Sequence, residues 1–201
     1  MGRSPLHSEE TILDAARSLL LSGGPRAATM NAIIAESGAP KGSIYHRYAS
    51  LNDLLTEMWM RAVRRSQGEF IEALRDPEAM PAAIAAALSL YDFAEREPAD
   101  ARLLASLRHE DLIESIIAPR LQRELAALNE PIEAAVVELA RRLFGRASRD
   151  NVERTVCAVV DIPIGATRRH LIAGSPFPNT LRGQLEAAVR AALLEAGART
   201  S

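Results

Sequence analysis

A chain of 201 residues is long enough for one ordinary domain, or for a small module joined to a larger one. With 48% hydrophobic but only 4% aromatic residues, its core must be built mostly from Ala, Leu, Ile and Val, and recurrent Ala, Leu, Arg and Glu favour helix over sheet. A net charge of −2 argues against a strongly basic nucleic-acid binder, and the single cysteine, Cys157, excludes an internal disulfide and a cysteine-rich zinc site.

The average charge hides an asymmetry. Residues 1–65 hold eight Lys or Arg against six Asp or Glu, and residues 66–201 hold sixteen against twenty, so a mildly basic head precedes an acidic body. Lys41 is the only lysine in the chain. The N-terminus places charges where the apolar core of a secretory signal should begin, and no run approaches the roughly 20 apolar residues needed to span a bilayer. The expectation is a soluble cytoplasmic protein.

Taken in order, residues 1–7 have the composition of a frayed end, with Arg3 available to a phosphate. Ser8 followed by Glu9 and Glu10 starts a helix over about 8–22, with Ile12, Ala15, Ala16, Leu19 and Leu20 on one face. Gly23, Gly24 and Pro25 stop it. Thr29 caps a second helix with Met30, Ile33 and Ile34 inward, and Gly38 turns the chain. Pro40 suits the first turn of a third helix running through Lys41-Gly42-Ser43-Ile44-Tyr45-His46-Arg47, anchored by Ile44. Ser50, with Asp53 three residues on, starts a long fourth helix over about 50–75 that joins head to body without a flexible tether.

Further helices are predicted over about 79–96, 99–109, 118–144 with a bend near Pro131, 148–173 with a kink at Pro163, and 180–196. The fold class is therefore all-α, with about nine helices. A three-helix head over 1–49 carries a helix-turn-helix, and the rest, 50–201, forms a helical body.

Helix, turn and helix over Thr29–Tyr45 have the makings of a DNA reader. In such a unit phosphate contacts set the register, and side chains near the start of the second helix reach base edges in the major groove. The candidate contacts are Thr29, Lys41, Gly42, Ser43, Tyr45, His46 and Tyr48. Lys41 can neutralise a phosphate or donate to guanine, Gly42 leaves room for close approach, and Thr29 sits at the positive end of its helix. Tyr45, His46 and Tyr48 can donate to phosphate oxygens.

At these residues the chain resembles the tetracycline-repressor family of bacterial transcription regulators. The resemblance rests on Thr29, on Gly38-Ala39-Pro40-Lys41-Gly42-Ser43-Ile44-Tyr45-His46, on Tyr48, and on Ser50-Leu51-Asn52-Asp53-Leu54-Leu55. It is detailed over roughly 8–60. Two departures stand out: Pro40 replaces the usual serine-like residue, and Leu51-Asn52 stands where many members carry a basic residue on phosphate, a loss for which Arg47 can compensate.

The resemblance implies a homodimer on a palindromic operator, probing it with two reading helices about one turn, roughly 34 Å, apart. It also implies a small-molecule inducer whose binding spreads the heads and releases the DNA, hence a repressor. The candidate dimer positions are Ala158, Ile162, Gly165, Ala166, Leu185, Ala188, Val189 and Ala192; such stripes fit an intrachain core equally well. The candidate ligand positions are Trp59, Gln67, Phe70, Tyr91, Phe93, Leu107, Arg108 and His109. Against that reading, Trp59 and Phe70 also suit a core, and Arg108 and His109 a solvated elbow.

Asp161 is expected to pair with Arg168 or bond locally, and Cys157 to be a buried thiol. The four histidines lack metal-ligand spacing, and no catalytic triad, phosphate loop or cofactor motif is present. No metal, cofactor or enzymatic activity is expected. The rival reading is an all-helical adaptor that binds a protein partner, which would have no need of phosphate donors around Gly42.

Overall fold

Hydroxyl caps, prolines and left-handed glycines cut this chain into helices. The computed structural model describes residues 9–111 and 117–197; Arg3 and Ser8, expected as a phosphate contact and a helix cap, lie outside them. Every regular element among the described residues is helical, as the composition predicts.

Helix α1 spans Glu9–Gly23, with both glutamates in its first turn where the helix dipole favours them. A 3₁₀ turn, Pro25–Ala27, leads to α2, Met30–Ser37, whose cap Thr29 accepts the Ala32 N–H on its hydroxyl oxygen at 3.2 Å. Gly38 closes α2 at φ 63°, a left-handed conformation that only glycine adopts cheaply. Then come α3, Lys41–Arg47, and α4, Leu51–Ala73. The Ser50 hydroxyl accepts the Asp53 N–H at 3.0 Å, which is half of a capping box. Helix α5, Ala79–Arg96, has the bounds read from the sequence.

Past α5 the expectations need correction. The helix expected over 99–109 is α6, Pro98–Ser106, followed by a separate 3₁₀ turn, His109–Asp111. The bent helix expected over 118–144 is two helices, α7, Pro119–Ala126, and α8, Glu130–Phe144. Pro131 falls in the first turn of α8, where its missing N–H leaves no hydrogen bond unmade, so it marks a start and not a bend.

The segment expected to kink at Pro163 runs from α9, Arg149–Val156, through a π turn, Cys157–Asp161, into α10, Ile162–Ala173. Proline cannot donate to the carbonyl four residues back, and the ladder widens just ahead of it: Ile162 N–H reaches Cys157, five residues back. Helix α11 is Leu181–Glu195.

Two compact units emerge, and packing groups the chain differently from a functional cut at 49/50. The first comprises residues 1–63 and 106–127; the second comprises 64–105 and 128–201. In the first unit Ile12, Ile33, Ile44, Leu54 and Met58 are wholly buried. Each such side chain contributes about 1.5–3 kcal/mol by leaving water. The Arg61 guanidinium ties α4 to α1 through Glu10 and Asp14, both at 2.7 Å. Helix α7 is held to the start of α4 by the Ala118 N–H on the Asp53 carboxylate at 2.8 Å and by Arg120 on Glu57 at 2.5 Å.

In the second unit one core joins α5, α8, α11 and the π turn, with Phe70, Leu139, Leu143, Val159, Val189 and Leu193 at its centre. Asp100, fully buried on α6, is ion-paired with Arg65 at 3.0 Å. Asp92 of α5 pairs with Arg182 of α11 at 3.4 Å.

Candidate nucleic-acid interface

The turn between α2 and α3 is locked from inside. The Ser37 hydroxyl accepts the Ala39 N–H at 3.3 Å and donates to the Ile34 carbonyl at 3.4 Å, while Ala39 itself is buried. Pro40 caps α3 by accepting the Ser43 N–H on its carbonyl at 2.9 Å. The proline that removes a side-chain donor from the expected pattern thus still sets the helix start. Ile44 then pins the helix at zero exposure.

With Ile44 inward, helical spacing turns Lys41, Gly42, Tyr45 and His46 to a common face, and all four are exposed. The Lys41 ammonium lies 5.7 Å from the centre of the Tyr45 ring, one helical turn on. Arg47 is also exposed, and α3 carries no acid. Ser43 is half-buried and Thr29 exposed. The result is a cationic, hydrogen-bonding surface on a short helix with a fixed start. It can neutralise phosphate charge and present donors to base edges. Sequence reasoning did not single out Arg26, exposed in the 3₁₀ turn ahead of Thr29; its only signal is a cation near a helix start.

Tyr48 does not belong to this surface. Its side chain is 4% exposed, and burial, followed by the nearby Glu9 and Glu57 carboxylates, strongly disfavours loss of its proton. A phosphate cannot reach it. Its place at the end of α3, with its N–H on the Ile44 carbonyl at 2.9 Å, makes it part of the head's core.

The eight expected ligand positions divide between the two units. Trp59 and His109 belong to the first unit, where their rings lie 5.6 Å apart and His109 Nε2 meets the Thr56 hydroxyl at 3.0 Å. His109 is 4% exposed, so it is not the solvated elbow its polar neighbours suggested. Arg108 is exposed and Leu107 half-buried in the same unit. In the second unit Phe70 is core, Gln67 donates to Asn129 Oδ1 at 2.9 Å, and the Tyr91 hydroxyl donates to Glu95 at 3.0 Å while its ring stacks on Phe177. Phe93 lines a cavity of about 120 Å³ within the second unit.

Burial lowers the His109 pKa, and Glu110 opposes that shift only in part. The sign follows: above about pH 6.5 both folded and unfolded chains hold the ring neutral, and below it the unfolded chain takes a proton that the folded one resists. Stability therefore falls as pH drops from about 6.5 through the lower folded value. Thermal unfolding of wild type and His109→Gln between pH 8 and 5 checks this. The wild-type midpoint should fall further, and parallel curves would refute it.

The dimer candidates also divide. Ala158, Leu185 and Val189 are buried within their own unit and are intrachain core. Ile162, Ala166 and Ala192 are partly buried against that core, and Gly165 and Ala188 are exposed. Exposed Ile164, Ile172 and Leu194 on α10 and α11 had not been singled out. Cys157, expected to be buried, is exposed on the π turn. Arg168 donates from Nε to the Ala105 carbonyl at 3.0 Å rather than pairing with Asp161. Among the described residues no group of three His, Cys, Asp or Glu could hold a metal ion, and no helix is long and apolar enough to cross a membrane.

Residues 12–58 match the family model described as bacterial regulatory proteins, tetR family. No curated protein sequence matches the chain. Among solved structures, the fatty acid degradation regulator FadR from Bacillus halodurans is similar at 12% identity and TM-score 0.71, over 96% of this chain and 100% of that one. A TetR-family transcriptional regulator from Streptomyces coelicolor is similar at 20% identity and TM-score 0.68, over 94% and 90%. The TetR-family regulator PfmR from Thermus thermophilus is similar at 18% identity and TM-score 0.66, over 91% and 97%. At these identities the likeness is one of fold.

Proposed function

Because residues 12–58 match the model of the tetR family of bacterial regulatory proteins, we propose that this DNA-binding transcriptional regulator is a TetR-family homodimeric repressor, released from a palindromic operator by a small molecule. Residues 1–49 read the DNA, and residues 50–201 bind the ligand and pair the subunits. The role places the protein in the cytoplasm, with the chromosome, and asks no catalysis of it.

The observation that carries this reading is the exposed face of α3, where Lys41, Gly42, Tyr45 and His46 stand together over the buried Ile44. Thr29 and Ser43 flank it and suit phosphate contacts. Pairing is supported by the exposed Ile164, Ile172 and Leu194, which share α10 and α11 with small exposed residues such as Gly165 and Ala188. Apolar surface of this kind on packed helices gains by being covered. Arg47 supplies a second cation to the head.

Genomic fragments selected by the purified protein, followed by sedimentation at micromolar concentration, test the proposal. The expected result is a dimer bound to fragments sharing an inverted repeat, its half-sites about one helical turn apart. A monomer at that concentration would overturn the pairing. Failure to enrich any sequence over random fragments would overturn operator binding.

A further inference from the structure

We infer that the cavity of the second unit takes a small organic monocarboxylate with a short aliphatic tail, its carboxylate held by Arg168. This rests on the ligand-responsive reading above and names the chemical class of the ligand. The walls are apolar side chains from α5, α6 and α10, among them Phe93, Ala101 and Leu104. Of the polar groups on α10, the Thr167 hydroxyl is already committed to the Pro163 carbonyl at 2.8 Å.

Arg168 is different. It lines the cavity yet is exposed, so it stands at the mouth. Its Nε donates to the Ala105 carbonyl at 3.0 Å, and Ala105 is itself part of the lining. That bond fixes the guanidinium plane and leaves its two terminal nitrogens without a carboxylate partner among the described residues. A planar cation with two parallel donors matches a carboxylate in charge and in geometry.

The lining contains no acidic residue. A cationic ligand would therefore find repulsion at the mouth and no compensation inside. A strongly polar neutral ligand would lose its water against apolar walls. Size sets the tail. The cavity of about 120 Å³ is smaller than the roughly 150 Å³ space that accommodates benzene in an engineered protein interior, which leaves room for about four to six carbons. The small side chains of Ala101 and Ala105 provide that room.

Calorimetry on the full-length protein with hexanoate, decanoate, hexan-1-ol and hexylamine tests the assignment. Hexanoate should bind, hexan-1-ol should bind at least tenfold more weakly, and hexylamine and decanoate should not bind measurably. In Arg168→Gln hexanoate should lose at least tenfold, down to the level of hexan-1-ol, while hexan-1-ol is held equally by both proteins. Ala105→Leu, which fills the space, should abolish both, and an unchanged cooperative thermal transition shows that each variant is folded. Equal affinity of wild type for hexanoate and hexan-1-ol overturns the assignment, as does no binding of hexanoate at millimolar concentration. Operator binding is followed in parallel. A protein that holds its operator but ignores hexanoate sinks the ligand class alone, and one that binds no operator sinks the regulator reading whatever the calorimetry gives.

Discussion

Replacing Lys41 by alanine should weaken operator binding roughly tenfold and lower the slope of log affinity against log salt by about one. The side chain is exposed at the first position of α3, and no other lysine exists in the chain to stand in for it. Each phosphate that a cation neutralises releases bound counterions from the duplex, so losing one cation removes about one counterion from the balance. The Tyr45 ring, 5.7 Å from the ammonium, restricts where that charge sits and makes the contact local, not diffuse. Anisotropy titrations at several salt concentrations separate the outcomes. A fall in affinity with an unchanged salt slope would mean that Lys41 reads a base edge and not a phosphate. An unchanged affinity would mean that it touches no DNA.

The second large effect lies in the other compact unit. Asp100→Ala should destabilise the protein by about 3 kcal/mol, near the lower end of what breaking a buried ion pair costs. Asp100 has no exposed surface, and its carboxylate faces the Arg65 guanidinium at 3.0 Å. Removing the acid leaves a cation that has already given up much of its water. Arg65 keeps about a third of its side-chain surface exposed, so water relieves part of the penalty. For a chain of 201 residues this corresponds to a fall in the thermal midpoint of about 6–12 °C. Arg65→Met combined with Asp100→Ala should recover part of the loss, because the charge that faced Asp100 is then gone. A double variant as unstable as the sum of the singles would show that the two side chains act independently.

How far the chain could be read ahead of its structure depended on whether the governing interaction was local. Thr29, Gly38 and Ser50 act within four residues of themselves, and each takes its expected place as cap or turn. Helix α5 is bounded by Asp76-Pro77 and Glu97-Pro98, and its limits were legible for that reason. The exposed face of α3 followed from one anchor, Ile44, and the helical period.

Errors arose where a distant neighbour decides. Tyr48 follows α3 at a spacing that suits a phosphate donor, but the core of the first unit claims its ring. His109 sits between polar residues, and only its partners on α4, Thr56 and Trp59, explain its burial. Small residues on α9, α10 and α11 could not reveal which side faces their own core, and Leu185 and Val189 face inward where an interface was expected. The cavity was invisible because its lining joins α4, α5 and α6 to α10, which lies far along the chain.

The π turn at Cys157–Asp161 accounts for a further part of that difficulty. An α-helix advances its side chains by about 100° per residue, and a turn closed over five residues instead of four inserts one such step without moving the axis far. It acts as a phase shift. Positions before it, such as Thr155, and positions after it, such as Ile164, Arg168 and Ile172, therefore obey two different angular countings. The same residues wound as unbroken α-helix through this stretch would carry a single count and rotate every side chain of α10 by about 100° relative to α9. Arg168 would leave the mouth of the cavity, and the exposed isoleucines would exchange places with buried positions, with the composition of α10 untouched. One residue's worth of register thus decides which face of this helix meets the protein's own interior and which is offered to anything else.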